Sequence, residues 1–205
     1  MSNIINYDMV ITTSTPMLGS QPGRDDPASK FIRDKTREKY PAMVIPEDEI
    51  ESLPEEISKG TTAFYRDEND RPILKSYQIK GCLKEAASVM NGTDGMKNLR
   101  SKIENAVFFK PINLAIEYDG VIGIEERPLR AMTMQGPRVS LARSEKINEG
   151  AIIKCRIEVW KFPKCEITED LLRELLDYAQ VKGLGQWRNS GIFGQFSYKL
   201  EKMEA

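Results

Sequence analysis

Apolar and polar positions alternate most clearly near the two ends of the chain. Tyr7 to Thr13 (YDMVITT) is a short apolar run ending in β-branched residues, punctuated by Ser14-Thr15-Pro16 and Gly19, and it predicts a first strand. Ala151 to Trp160 (AIIKCRIEVW) predicts a strong strand, with Ile153, Cys155, Ile157 and Val159 facing opposite to Lys154, Arg156 and Glu158. Two stretches change to helical spacing. From Ser76, read as a cap, Ile79, Cys82, Leu83, Ala86, Ala87 and Met90 recur every three or four residues until Asn91-Gly92, with Lys80 and Lys84 together on another face. Thr168-Glu-Asp opens the second, whose stripe is Leu171, Leu172, Leu175, Leu176 and Ala179 and whose end falls near Gln180.

Thr61 to Tyr65 and Ile73-Leu74 are further strand candidates, separated by the turn DENDRP, and Val107 to Tyr118 predicts a strand pair or hairpin. Ile192 to Leu200 is expected to be the last strand. From Gln21 to about Lys59 the chain is polar and repeatedly interrupted by proline, which predicts an insertion or arm with a short helix around 28 to 39. The order strand, insertion, helix, strands, helix, loop, strand fits an α+β fold with a ferredoxin-like (RRM-like) βαββαβ core. That core carries a long insertion after strand one and an additional β-arm. We read residues 1–205 as a single domain with an insertion at 21–60 and a β-rich insertion or arm at 107–148.

Composition narrows the chemistry. The chain contains no His, so the commonest general base, the usual zinc ligand and every Ser-His or Cys-His nucleophile are excluded. Cys82, Cys155 and Cys165 form no CxxC pair, as expected of reduced thiols in a cytoplasmic chain. No apolar run approaches the roughly 20 residues of a membrane-spanning helix and the N-terminus lacks the parts of a signal peptide. A net charge of -1 conceals segregation: residues 47–56 hold six acids and no base, whereas 127–146 hold five bases and one acid.

Three stretches stand out in order along the chain: TPMLGS (15–20), RPILKSYQIKGCLKEAA (71–87) and KGLGQWRNSGIFGQF (182–196). Together they resemble the RAMP superfamily of CRISPR-associated proteins, in particular the backbone subunits that line guide RNA. In that family a TPxxxG strand exit, an insertion, a Lys-Gly helix start and a Gly-rich loop before the closing strand follow one another. The resemblance implies an RRM-like fold and a single-stranded nucleic-acid partner, RNA rather than DNA. It also implies possible homo-oligomers or a CRISPR-like ribonucleoprotein assembly, of which a stand-alone or phage-borne relative would be one form.

A glycine-rich turn lets phosphate approach backbone N–H groups, and nearby cations add charge. The candidate nucleic-acid-binding residues are therefore Gly183 and Gly185 with Lys182, Arg188, Lys80 and Lys84, if the loop lies over the start of the first helix. Trp187 and Phe193 could stack on bases. Arg127, Arg130, Arg138 and Arg143 are separated by Pro128, Gly136 and Pro137, as on a loop or β-arm that grips a backbone. Plainer readings stand beside these: a helix stop at Gly183 and Gly185, a solvated face at Lys80 and Lys84, a core anchor at Trp187, and an ordinary charged hairpin. No cofactor or metal is expected. The enzymatic alternative, metal-assisted RNA cleavage, would use Asp25 or Asp26, which occupy a region comparable with the acid of RNA-cleaving family members. A third alternative is a protein that mimics a backbone subunit.

Overall fold

The computed structural model describes residues 3–22, 61–92, 97–133, 136–163, 165 and 167–203. Most of the proline-rich 21–60 segment, including Asp25, Asp26, the acidic 47–56 run and the expected helix at 28–39, lies outside the described residues. The rest is mixed α and β, with a mostly antiparallel arrangement of strands.

The alternating end segments form the centre. β1 (Ile4–Thr13) buries Tyr7, Met9, Ile11 and Thr13, and β11 (Ile152–Trp160) buries Ile153, Cys155, Ile157 and Val159. The two strands pair antiparallel along their whole length, Ile4 opposite Trp160 and Thr12 opposite Ile152. On the other side of β1 lies β12 (Phe196–Lys202), also antiparallel. The far edge of β11 takes β7 (Val107–Lys110) and β8 (Asn113–Glu117), and β8 continues to β6 (Pro72–Lys75) and β5 (Tyr65–Arg66). Along β1 and β11 Tyr7, Met9 and Ile11 lie opposite Ile157, Cys155 and Ile153, so period-two patterning puts these apolar side chains on one face.

Helices cover that face. α1 (Ser76–Val89) buries Ile79, Cys82, Leu83, Ala86 and Ala87. α2 (Leu99–Ala106) adds Leu99, Ile103 and Ala106, and α3 (Glu169–Lys182) adds its leucine stripe. α1 packs on both α2 and α3, and the buried side chains form one continuous core. Each fully buried leucine contributes about 1.5–3 kcal/mol. None of the described helices is long and apolar enough to cross a membrane. The opposite face of the sheet carries ion pairs instead: Lys110–Glu158, Lys154–Glu117 and Arg156–Asp8.

A second sheet stands beside the first. Its main parts are β9 (Gly123–Thr133) and β10 (Gly136–Ile147), a long hairpin in unbroken register from Gly136 opposite Thr133 to Lys146 opposite Gly123. Short strands β2 (Met17–Leu18), β4 (Thr61–Ala63) and β3 (Gln21–Pro22) complete it, and β10 pairs parallel with β4.

Several sequence expectations are corrected. The 61–65 segment is two short strands belonging to different sheets, because Phe64 turns inward at the break. Ser76 is the first helical residue rather than the cap: its N–H donates to Ile112 O at 2.9 Å, and Lys75 caps with its N–H held by Gln78 Oε1 at 2.9 Å. Helix α2 has no counterpart in the pattern reading, since eight residues with three buried positions give too little periodicity. α3 runs two residues past Gln180 and stops at Gly183, with Thr168 Oγ1 accepting from Leu171 N–H at 3.2 Å at its other end. The last strand starts at Phe196 rather than Ile192, because a one-turn helix, α4 (Arg188–Gly191), and a turn through Gly194 intervene.

Candidate nucleic-acid interface

The strand exit TPMLGS and the Gly-rich loop, distant in sequence, are one assembly. Thr15 Oγ1 donates to Ile192 O at 2.9 Å and accepts from Gln195 N–H at 2.9 Å. Gly194 N–H donates to Pro16 O at 2.8 Å, Leu184 N–H to Gly194 O at 2.8 Å, and Gln186 N–H to Leu18 O at 3.2 Å. These contacts account for the glycines. Gly183, Gly185 and Gly194 have φ of +81°, +82° and +69°, and a Cβ would lie 2.5 Å from Phe193 O, 2.4 Å from Leu18 O and 1.9 Å from Leu184 O respectively. At all three positions the chain's own backbone fills the space that a side chain would use. Thr15, the first residue of the TPMLGS motif, is thus the side chain that ties the strand exit to the Gly-rich loop.

This packing presents the turn at Trp187. Trp187 and Ile192, flanking α4, both adopt the left-handed conformation, with φ of 58° and 54°. For non-glycine residues, and a β-branched one above all, that costs of order 1–3 kcal/mol each, and the interlocked backbone on either side sustains it.

The hairpin foot meets this turn. Unbroken register gives the two hairpin faces different partners. Arg127, opposite Ala142, and Ser144, opposite Glu125, share the face towards the Gly-rich loop. The Arg127 guanidinium carbon lies 4.8 Å from the Trp187 ring centre and 4.2 Å from that of Phe193. Beside it the Ser144 hydroxyl donates to Gln186 Oε1 at 3.2 Å, and the Thr62 hydroxyl lies against the same oxygen and 2.8 Å from Ser144 Oγ. Arg127 Nη2 and, on the other face, Arg143 Nε are buried without a hydrogen-bond partner among the described residues.

Arg143, opposite Glu126, points to the other face and pairs with the Glu126 carboxylate at 2.6 Å. There Glu145 also accepts from Arg66 Nη2 at 2.6 Å and from Phe64 N–H at 2.9 Å. Arg143 and Arg127 therefore do not line one groove. Arg130 and Arg138 lie further along the hairpin, opposite Val139 and Ala131 in register.

The cations expected near the loop separate likewise. The loop reaches α1 not at Lys80 and Lys84 but one face round. Arg188 pairs with Glu85, and the Cys82 thiol donates to Gly183 O at 3.3 Å. Lys80 Nζ donates to Glu104 O at 2.7 Å and sits 4.2 Å over the Phe108 ring, and Lys84 pairs with Glu104 Oε1 at 2.6 Å. Burial pushes the Lys80 amine below its usual range, with Glu104 opposing that shift. Lys182 Nζ donates to Asn189 Oδ1 at 3.0 Å.

Burial pushes the Cys82 thiol up to about 11 and the Cys155 thiol up to about 12, so both are neutral thiols at physiological pH. Among the described residues no group of three or more Cys, Asp or Glu is placed to hold a metal ion.

No protein-family model and no curated protein matches this chain. Among solved structures, a chain in the cryo-EM structure of the Type III-B Cmr-beta bound to cognate target RNA aligns with a TM-score of 0.49 at 13% identity. The alignment covers 97% of this chain and 61% of that one, so this chain spans less than two thirds of its neighbour's length.

Proposed function

We propose that this protein binds single-stranded nucleic acid, RNA in the first instance, through the Gly-rich loop and the foot of the β9–β10 hairpin, and does not cleave it. The observation that carries this reading is Arg127, a cation laid on two aromatic rings with a buried N–H that has no partner among the described residues. Stacking surfaces and unneutralised guanidinium groups are the two components a sequence-tolerant single-strand reader needs. The hairpin beyond the foot carries Arg130 and Arg138 and would lie along the backbone of the strand.

The finer reading of the fold supports the same function. We take β1, α1, β7, β11, α3 and β12 as a ferredoxin-like βαββαβ unit, since the sheet order β12-β1-β11-β7 with every pair antiparallel is the order of that fold. The RAMP-like motifs TPMLGS and GLGQWRNSGIFGQF then meet at one end of this unit, beside the hairpin, and a backbone-subunit-like protein able to assemble along a strand is the class this fits.

Fluorescence anisotropy with labelled single-stranded RNA, single-stranded DNA and duplex at low salt tests the reading. Binding is expected for single strands, falling steeply with salt, and Arg127→Ala is expected to weaken it about ten-fold and lower the salt slope by about one. An absence of single-strand binding at low salt overturns it.

A further inference from the structure

The position that Arg127 holds against Trp187 and Phe193 is suited to more than a guanidinium. We propose that it is a nucleobase site occupied by the chain's own side chain. An unpaired base of a bound strand displaces Arg127 from the two rings and stacks there, and the released guanidinium pairs with a phosphate of the same strand. This rests on the single-strand reading above and adds what the site takes and how it opens.

A guanidinium is flat, delocalised and weakly hydrated, which is why it stacks on rings, and at 4.2 and 4.8 Å from the two ring centres Arg127 does so here. A nucleobase presents a larger face of the same kind, and every base has a π-face that stacks favourably on an aromatic ring. The base therefore competes for the rings on at least equal terms.

The self-occupied state is also incomplete. A buried donor without a partner is destabilising, more so when the group is charged, and among the described residues Arg127 Nη2 has none. The carboxylates nearest in register are already engaged: Glu125 with Lys146 at 2.9 Å, and Glu126 with Arg143 at 2.6 Å on the far face. Among the described residues no carboxylate pairs with Arg127. A phosphate supplies the missing acceptor, bidentately if the approach allows.

Exchange needs only a side-chain rotation. The rings are held by backbone, through Gly185 against Leu18 and Gly194 against Leu184, so they stay when the arginine leaves. The site selects unpaired bases, because a base within a duplex cannot reach the rings without being flipped out.

Trp160 and Trp187 are the two tryptophans, so Trp160→Phe, at a half-exposed strand end, makes Trp187 the only indole reporter. In that background a short oligouridylate and an abasic ribose-phosphate oligomer of equal length and charge are compared. Anisotropy of labelled copies reports binding, and Trp187 emission with unlabelled copies reports stacking. Both oligomers are expected to bind, the base-bearing one about ten-fold tighter, and that one alone to quench Trp187. Arg127→Leu, which keeps the packing volume, is expected to retain the quenching while its salt slope falls by about one. Equal affinity and equal Trp187 response for the two oligomers overturns the inference, as does loss of quenching in a folded Arg127→Leu protein. If neither oligomer binds, the single-strand reading fails and this inference with it.

Discussion

Two cationic clusters each lay a cation on an aromatic ring. They differ in what neutralises them. On α1, Lys80 sits over Phe108 and donates to the Glu104 carbonyl, while Lys84 takes the Glu104 carboxylate. At the hairpin foot, Arg127 lies on Trp187 and Phe193 with no carboxylate and with Nη2 unpaired. A cation that must give up an internal partner gains little from a phosphate, whereas one left incomplete by its own fold gains the whole interaction. Spacing along the sequence made both clusters candidates. Among the described residues, the second is the one whose cation meets no carboxylate.

The severest way to break this contrast is to remove the platform under the rings. Gly194→Ala places a Cβ 1.9 Å from Leu184 O at a φ of +69°, and is expected to cost on the order of 3 kcal/mol or more. An unchanged thermal melt would mean that the backbone contacts do not hold the rings. Next is Glu145→Ala, which strands Arg66 and Phe64 N–H at the hairpin foot without touching α1. A loss of about 2 kcal/mol in denaturant unfolding is expected.

The contrast itself is read by affinity. Arg127→Ala is expected to weaken single-stranded RNA binding about ten-fold, close to 1.4 kcal/mol, and Lys84→Ala by less than about two-fold. Equal losses in the two variants would erase the distinction.

The smallest effect concerns pH. A hydrogen bond from Lys84, followed by the charges of Lys84, Lys80 and Arg100, holds the Glu104 carboxyl below the usual carboxylate range, against a small opposing desolvation. Its folded value is therefore lower than its unfolded one. The contribution is complete above the ordinary carboxylate range and is lost as pH falls through the lower folded value. Glu104→Gln is expected to flatten slightly the acid limb of melting temperature against pH, while RNA affinity at neutral pH stays unchanged.

Much of the scaffold was readable along the chain. Alternation in β1 and β11 and the leucine stripe of α3 each bury the residues their periods select, because a strand or helix with one apolar face has one way to dry it. Local patterning failed where a distant segment set the conformation. Ile192 to Gln195 reads as strand, yet Thr15 and Pro16 hold it as a turn through Ile192 O, Gln195 N–H and Gly194 N–H. Ser76 has a capping side chain, but Ile112 takes its N–H.

By itself the sequence determined the α+β class and the buried faces, since both follow from periodicity and capping. It could not determine which arginine stays unneutralised. Arg127 and Arg143 have the same chemistry on paired strands, and their opposite strand parity sends one to Trp187 and Phe193 and the other to Glu126. Which cation meets a carboxylate and which meets only rings depends on segments far apart in the chain, and only the tertiary structure brings those together.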